Sequence, residues 1–380
     1  MLQVYLKPTN FCNVGCDFCY LPEEVRADKG RMSPSTLESA MHLVRDLASR
    51  EGHDGVSIIY HGGEPLTLPV EALITFSDSV REALAGLRVV ESIQTSLIPL
   101  RPSHITFLHD RCDGHVGSSI DFGGRTISGS SEKYISLWMD KVGLARETGL
   151  IVEPIMVPTV RQVDDVPTVY EWFKDNGFAH FNIERYNRYG ASDDRPDNAQ
   201  HARFLRSLFD LSMADLSTTG SCVTNNAVAA SIAGVMHGLP GERWGGSCQR
   251  DFLVINPDGS LNTCPDRIEY EIGQWPNVAD GIDAFQSSPT RQNWIKVQAV
   301  EHIENHCRSC EFRSWCKSGC PITDHQVHTG AGECAGYKSH LLHVKRFVES
   351  EEGRRLASKY LTLAGITSYD PYEIGLEVLR

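Results

Sequence analysis

Three cysteines in an N-terminal loop give the strongest chemical signal in the sequence. Cys12, Cys16 and Cys19 place three thiolates within eight residues, directly after a predicted strand. A closed structural zinc site takes four protein ligands, so this loop alone does not complete one. A four-iron cluster held by three thiolates keeps one iron free for an exogenous molecule. The spacing favours such a cluster, and a zinc site or a purely structural cluster is the alternative.

The C-terminal part carries seven more spaced cysteines in a turn-rich region. Gly259 lies five residues before Cys264, within a predicted hairpin turn. Metal ligation would have to replace the small apolar core of this region. Two four-iron clusters that are ligated only by thiolates need eight cysteines, so one ligand is missing here. The alternative is a set of zinc ribbons. The seven are Cys248, Cys264, Cys307, Cys310, Cys316, Cys320 and Cys334.

Composition limits the class of protein. The 380 residues carry a net charge of -13, which argues against nucleic acid as the main partner, because phosphate binding needs clustered Lys and Arg. There is no apolar run of the roughly 18 residues that a membrane span needs, and the first residues lack the features of a secretory signal. We therefore expect a cytoplasmic protein. Thiols stay reduced there, so the 12 cysteines favour metal ligation over disulfides.

Short β-rich segments alternate with helical ones in the first half of the chain. This alternation predicts an α/β fold with a parallel sheet. In such sheets the chemistry lies at the carboxyl ends of the strands, where the cysteine loop and a Gly-Gly turn both fall. A helix is predicted to begin at Ser33–Pro34, others to span Val70–Ala85 and Ala202–Leu216, and one to form the tail from Tyr337 to Leu361. The predicted strands are Gln3–Lys7, Val56–Tyr60, Val89–Thr95, His115–Ile120, Ile151–Val157, His180–Arg185 and the short Phe252–Ile255.

The composition shifts along the chain predict four regions. Residues 1–190 form the αβ core, and 191–247 form a connector that contains a helix. Residues 248–345 form the cysteine-rich domain, and 346–380 form a helical tail.

The N-terminal motifs resemble those of the radical S-adenosylmethionine (SAM) superfamily. The Cys-x3-Cys-x2-Cys spacing has an aromatic residue, Phe18, before its last cysteine, and Gly62-Gly63-Glu64-Pro65 follows the second predicted strand. The resemblance implies a partial (βα)6 barrel whose first cluster chelates SAM through its open iron. It also implies SAM contacts from Tyr20, Gly62, Gly63, Glu64, Thr95, Ser96, Ser119 and Asp121. After Thr95, the Asn-Gly that is usual in the family is replaced by Ser96-Leu97.

The C-terminal cysteine array resembles the SPASM extension of radical SAM enzymes that modify peptides. The resemblance implies two auxiliary [4Fe–4S] clusters, and thus three clusters together with SAM as cofactors. One auxiliary cluster would take Cys307, Cys310, Cys316 and Cys334. The other would take Cys248, Cys264 and Cys320, and either keep an open iron or borrow a ligand such as Cys222. Some relatives have a further cysteine where this chain has Glu242.

The family resemblance implies reductive cleavage of SAM to a 5′-deoxyadenosyl radical that removes hydrogen from a substrate. The first choice of function is an oxidative cross-link (C–C, C–O or thioether) between side chains of a ribosomally made peptide. Formylglycine formation in sulfatases, action on a small metabolite, and a non-catalytic iron–sulfur or zinc protein are the alternatives. Asp266 is the candidate proton acceptor. In sulfatase-maturating relatives an Asp directly follows the cysteine, whereas here Pro265 intervenes.

The implied partners are a precursor peptide and an electron donor similar to flavodoxin or ferredoxin. The first strand is predicted to start at Gln3, so we expect no fused leader-binding domain. A separate leader-binding protein is then a possible partner. Neither nucleic acid nor a membrane is expected as a partner.

Overall fold

The computed structural model describes residues 1–185, 194–241, 243–246, 248–265, 275–320, 323, 325–326 and 332–366. The chain forms two compact units. The described residues of the first unit fall within Met1–Glu153 and Ser247–Trp294, and those of the second within Pro154–Arg188, Ser192–Gly246 and Ile295–Arg380.

The strands predicted from the sequence are present, with ends that differ by at most two residues. The described strands are β1 Leu2–Thr9, β2 Gly15–Cys16, β3 Gly55–Gly62, β4 Arg88–Thr95, β5 His115–Ser119, β6 Arg125–Thr126, β7 Ile151–Met156, β8 His180–Ile183, β9 Thr224–Asn225, β10 Phe252–Ile255 and β11 Leu261–Asn262.

The helices alternate with the strands in the first half of the chain and dominate the second half. The α-helices are α1 Glu23–Ala27, α2 Pro34–Glu51, α3 Val70–Ala83, α4 Pro102–Cys112, α5 Ser131–Glu147, α6 Val160–Asp164, α7 Val166–Asp175, α8 Asn198–Thr219, α9 Asn226–His237, α10 Cys248–Asp251, α11 Gly281–Ser287, α12 Pro289–Lys296, α13 Arg313–Cys316, α14 Lys338–Phe347 and α15 Glu351–Leu363. Short 3₁₀ turns cover Pro65–Thr67 and Val278–Asp280, and a π-helix covers Val297–Cys307.

A largely parallel sheet forms the centre of the first unit, in the order β11–β10–β1–β3–β4–β5. Tyr5 of β1 lies opposite Ile59 of β3 on one side and Val254 of β10 on the other. The late strand β10 therefore extends the sheet beyond β1, and β11 pairs with it antiparallel. Its position next to the first strand follows from long-range pairing, which the local sequence pattern does not encode.

The two faces of this sheet have different chemistry. Leu2, Val4 and Leu6 alternate on one face of β1 and are fully buried. Successive side chains of a strand point to opposite faces, so Tyr5 and Lys7 share the other face. The apolar face forms the core, and the polar face carries the candidate site at its carboxyl end.

Helix α2 begins where the sequence predicts. The Ser33 side chain accepts a hydrogen bond from the backbone N–H of Thr36, and Pro34 occupies the first helical position. This is the usual N-terminal arrangement of a helix, since the cap satisfies an otherwise unpaired N–H group.

Helix α8 is the centre of the second unit and packs against α6, α7, α9, α14 and α15. Its buried Phe209 meets Phe347 edge-on, with ring centroids 5.0 Å apart. In the same unit β8 pairs with β7 and β9, in parallel on both sides.

The predicted single tail helix is wrong, because two helices, α14 and α15, occupy this segment. Ser350 accepts a hydrogen bond from the backbone N–H of Gly353 and caps a new helix. A side-chain cap of this kind competes with continuation of the preceding helix. Among the described residues, none of the helices is both long and apolar enough to cross a membrane.

Candidate active site

The three cysteines of the N-terminal loop lie close together in the first unit. Strand β2 contains Cys16 and pairs with β6, while the backbone N–H of Cys19 donates to the carbonyl of Cys16 at 3.2 Å. Burial above all raises the pKa of Cys12 to about 11 and that of Cys16 to about 12, and the neighbouring cysteines contribute to both increases. The loop therefore gathers its three thiols in a water-poor site.

Arg125 is a buried cation beside these thiols that the sequence did not single out. Its Nη1 donates to the Cys16 Sγ at 3.2 Å, and its Nε donates to the Asp121 Oδ2 at 2.8 Å. Its side chain is 12% exposed, and its guanidinium lies over the rings of Phe18 and Tyr134. A hydrogen-bonded cation favours the thiolate form of Cys16. In the sequence, the local indication of this ion pair is that Arg125 lies four residues after Asp121.

The Arg125–Cys16 hydrogen bond predicts a change in redox potential. Hydrogen bonds and net charge set the potential of iron–sulfur clusters. Arg125→Gln removes a positive charge, so we expect a more negative potential for the cluster that responds to added SAM. Arg125→Lys keeps the charge but loses the planar donor geometry, so an intermediate value is expected. Redox titration followed by electron paramagnetic resonance measures this. Wild-type potentials in both variants would show that Arg125 does not act on the cluster.

Two glycines let the turn after β3 approach the start of the cysteine loop. The backbone N–H of Gly63 donates to the carbonyl of Thr9 at 3.0 Å, and that of Glu64 donates to Phe11 at 2.8 Å. A Cβ on Gly63 would lie 2.1 Å from the carbonyl oxygen of Asn10. Gly62 has a φ of 114°, which glycine adopts freely and other residues avoid. The two glycines are therefore required by backbone contact with the loop.

The contact at Gly63 predicts loss of cluster binding on a minimal substitution. In Gly63→Ala, the added methyl group meets backbone atoms, so the turn and the cysteine loop must separate. We expect about 1–3 kcal/mol of destabilisation and reduced iron content, measured by melting and iron analysis. Gly143→Ala is the control, because a Cβ there meets nothing within 4 Å in the middle of α5. It should retain iron. Equal iron in both variants would contradict the role of Gly63.

Glu64 is fully buried and links two segments, its own turn after β3 and the end of β4. Its carboxylate accepts hydrogen bonds from the backbone N–H of Leu66, the Thr95 hydroxyl, and both the backbone N–H and the hydroxyl of Ser96. Burial raises the pKa of Glu64, while these hydrogen bonds lower it. A carboxylate offers about four acceptor positions, so protein donors already use this capacity. Glu64 therefore holds the ends of β3 and β4 together, and its contact with SAM stays a prediction.

The departure from the family's Asn-Gly pair has a structural consequence at Leu97. This residue is fully buried and has a φ of 65°, in the left-handed region. The family's glycine adopts such a conformation freely, whereas for leucine it is strained. The Thr95 hydroxyl accepts from the backbone N–H of Leu97 at 3.0 Å and holds this turn. Leu97 therefore adopts a left-handed backbone conformation although it is not glycine, and burial of its apolar side chain compensates for the strain.

The remaining predicted SAM contacts lie around the same strand ends. The Tyr20 hydroxyl donates to the carbonyl of Gly62 at 2.9 Å and lies 3.2 Å from His61 Nδ1. The Ser119 hydroxyl accepts from the Gln94 side chain at 3.1 Å. Tyr20 thus contacts the Gly-Gly turn directly. Asp121 is paired with Arg125, which links the end of β5 to the cysteine loop.

A second group of four thiols lies in the second unit, next to the π-helix. Burial raises the pKa of Cys316, and Cys334, Cys307 and Cys310 raise it further. The electrostatic effect of these three thiols on Cys316 places them in its neighbourhood. The backbone between Cys316 and Cys320 passes through three successive left-handed residues, Lys317, Ser318 and Gly319. These residues form the tight turn that follows the third thiol.

Gly336 and the start of α14 line the second thiol group. A Cβ on Gly336 would lie 2.6 Å from Cys316 Sγ and 3.9 Å from Cys334 Sγ. Burial raises the pKa of Cys334 to about 11, while hydrogen bonds from the backbone N–H groups of Lys338 and Gly336 lower it. The backbone therefore approaches the sulfurs closely and supplies donors to one of them.

Three further predictions stay untested. Cys248 and Cys264 belong to the first unit and Cys320 to the second, so their shared cluster stays a prediction, as does a ligand role for Cys222. Asp266 and Glu242 lie outside the described residues.

Both thiol groups suit iron–sulfur clusters. Iron binds thiolates. The thiols with raised pKa values are protonated without metal, so they would lose their protons when a cluster binds. Three sulfurs with an adjacent guanidinium fit a four-iron cluster with one open iron, and four sulfurs fit a fully ligated cluster. Cys12, Cys16 and Cys19 would hold the first cluster, which would supply the electron for cleavage of SAM. Thr95 and Ser96 keep Glu64 in place, and Asp121 keeps Arg125 in place. Burial of the loop thiols limits the access of water.

Comparison with known proteins agrees with these motifs. Residues 6–172 match the family model described as the Radical SAM superfamily. A cysteine-type anaerobic sulfatase-maturating enzyme from Clostridium perfringens is 24% identical over 342 residues, which cover 84% of this chain and 88% of that enzyme. An uncharacterized protein from Archaeoglobus fulgidus is 22% identical over 334 residues, which cover 83% of this chain and 73% of that protein.

Solved structures share the fold. Native anSMEcpe with bound AdoMet has a TM-score of 0.75 at 21% identity, and the match covers 96% of this chain and 100% of that chain. SuiB from Streptococcus suis, bound to the precursor peptide SuiA, has a TM-score of 0.59 at 15% identity, covering 84% of this chain and 72% of that chain. The predicted α/β fold with a parallel sheet is thus confirmed. The chain is an enzyme whose residues 6–172 match the radical SAM superfamily.

Proposed function

We propose that this enzyme uses a 5′-deoxyadenosyl radical to form an oxidative cross-link in a ribosomally made peptide. The observation that carries the proposal is the second group of four thiols, which belongs to the second unit and suits an auxiliary cluster. An oxidative cross-link removes two hydrogen atoms from the peptide. One leaves as an atom to the radical, and the other leaves as a proton and an electron. A second cluster gives that electron a route away from the substrate.

Peptide-bound relatives support a peptide as substrate. SuiB was solved with the precursor peptide SuiA, and anSMEcpe with the Kp18Cys peptide. We extend the inference to three [4Fe–4S] clusters, the second auxiliary one held by Cys248, Cys264 and Cys320. A flavodoxin- or ferredoxin-like electron donor, a separate leader-binding protein and a cytoplasmic location complete the proposal.

Sulfatase maturation is the second candidate function. It is supported by similarity to the Clostridium perfringens maturase over 84% of the chain. Against it stands Pro265, which separates Cys264 from the candidate base Asp266. A shift of one residue matters because a proton acceptor must come within hydrogen-bond reach of its substrate.

Co-expression with a short peptide encoded beside the gene tests the first function. We expect mass spectrometry to show loss of two hydrogen atoms and fragmentation that skips the bonds between the linked residues. The matched reaction uses a cysteine-containing sulfatase peptide. If formylglycine formed in the sulfatase peptide while the precursor peptide stayed unchanged, the function would be sulfatase maturation and not cross-linking.

A further inference from the structure

One face of helix α5 carries three hydrogen-bond donors at helical spacing. Tyr134, Trp138 and Lys141 follow one another at intervals of four and three residues, so they lie on the same side of the helix. The side chains of Tyr134 and Trp138 are fully buried, and each has a polar group at its tip that needs an acceptor. We call these three residues the donor stripe.

Two members of the donor stripe hold the loop after β4 and the strand β5. The Lys141 Nζ donates to the carbonyl of Leu100 at 2.9 Å, and the Trp138 Nε1 donates to the Ser118 hydroxyl at 2.8 Å. These contacts tie α5 to the neighbouring strands. Neither of them involves a residue for which a SAM contact is predicted.

Tyr134 binds two carbonyl groups with one proton. Its hydroxyl donates to the carbonyl of Ser119 at 2.6 Å and to the carbonyl of Ser96 at 3.2 Å. A phenol has a single proton to donate, so both carbonyl groups are held at the same point. SAM contacts are predicted for both Ser96 and Ser119. The hydroxyl therefore joins the two strand ends that would face SAM.

The turn after Ser96 depends on hydrogen bonds from outside it. Leu97 has a φ of 65°, which is strained for leucine, and both Ser96 and Leu97 are buried. The glycine that is usual in the family adopts such a conformation freely. A buried carbonyl that loses its donor costs more free energy than the hydrogen bond itself contributes. Loss of the Tyr134 hydroxyl would therefore weaken a turn that is already strained.

The ring of Tyr134 also lies close to the cysteine loop. The guanidinium of Arg125 lies 5.8 Å from the ring centre, and the same guanidinium donates to the Cys16 Sγ at 3.2 Å. One buried side chain thus touches the end of β4, the end of β5 and the cation beside the first thiol group.

We propose that Tyr134 is a positioning residue for SAM, because its hydroxyl keeps Ser96 and Ser119 at the separation that SAM binding requires. The inference rests on the use of SAM, which both candidate functions share, and on the contacts predicted for the two serines. Without the hydroxyl, two neighbouring carbonyl oxygens lose their common donor and repel each other, so the strand ends separate. Trp138 and Lys141 keep their own contacts, so α5 stays in place.

Calorimetric titration of SAM into the anaerobic, iron-loaded protein tests the proposal without peptide or reductant. Tyr134→Phe removes only the hydroxyl, and we expect the Kd for SAM to rise about five- to tenfold. Lys141→Met is the matched control, because it removes one donor from the same helix face and the same loop after β4. Its Kd should stay within about twofold of the wild-type value, although both variants should melt at a lower temperature than the wild type.

Two unnatural side chains at position 134 separate hydrogen bonding from packing. 4-Fluorophenylalanine fills the space of the hydroxyl but has no proton to donate, whereas 4-aminophenylalanine fills it and donates an N–H. We expect the fluorinated protein to bind SAM as weakly as Tyr134→Phe, and the amino protein to bind within about twofold of the wild type. Iron analysis shows whether each protein keeps its clusters. If Tyr134→Phe loses iron, the fluorinated protein takes its place.

Equal SAM affinity of Tyr134→Phe and the wild type, or an equal loss in Lys141→Met, would overturn the proposal. Weak binding by the 4-aminophenylalanine protein would also contradict it. In dithionite-driven formation of 5′-deoxyadenosine, the KM for SAM should rise more than kcat falls, and the reverse would argue against a role in positioning. The titration uses no peptide, so failure of the cross-linking function leaves its result unaffected, whereas absence of SAM binding by the wild type would remove both proposals.

Discussion

Cys16→Ala is expected to abolish 5′-deoxyadenosine formation and to lower the iron content by about four of about 12 atoms per chain. Cys16 is the thiol that receives the Arg125 hydrogen bond, and it lies in the strand pair β2–β6. Two remaining thiols cannot hold a four-iron cluster. Without that cluster no electron reaches SAM. Dithionite assays of the anaerobic protein, with chromatography of the nucleoside product, measure the effect.

The control for Cys16→Ala is Cys112→Ala. Cys112 is buried at the end of α4, and its pKa is raised by burial and by Glu91 and Asp113. Its replacement should cost about 1 kcal/mol in stability and leave iron and deoxyadenosine unchanged. Product formed by Cys16→Ala at the wild-type rate would remove the basis of the SAM assignment. Stoichiometric zinc in the colourless wild-type protein would do the same.

Local patterns were enough to predict the elements that carry the first site. Short runs of β-forming residues identified β1 and β3, because such residues favour extended backbone in a sheet. The Ser33–Pro34 pair identified the start of α2, because the cap formed by Ser33 involves only residues of the first helical turn. The cysteine spacing identified the loop, since iron–sulfur ligation requires particular ligands at short intervals.

Properties that depend on distant segments were not predictable in this way. Arg125 lies 109 residues after Cys16, and their hydrogen bond depends on pairing of β2 with β6. The addition of β10 beside β1 joins residues about 250 positions apart by main-chain hydrogen bonds. Leu97 occupies a left-handed turn that its residue type disfavours. In each case the tertiary environment determines the local structure.

In the proposed function, the second thiol group gives a reason for two cysteine regions that are far apart in the sequence. Removal of a hydrogen atom leaves a substrate radical, and a stable cross-link forms only after a further electron is lost. The first loop would serve the cleavage of SAM, as its resemblance to the family implies. Within the four-thiol group, Cys310 is half-buried. We propose that this group takes up the electron that the substrate radical loses.

Cys310→Ala should separate these two roles. Cys310 is half-buried, so loss of its sulfur leaves a smaller cavity than loss of the buried Cys316 would. We expect iron to fall by about four atoms, deoxyadenosine formation to persist with dithionite, and cross-linked peptide to decrease by more than about tenfold. Ser309→Ala, at the exposed neighbouring position, should match the wild type in all three measurements. If deoxyadenosine and cross-linked peptide fell in equal proportion, the second thiol group would support the fold and not the oxidation of the substrate radical.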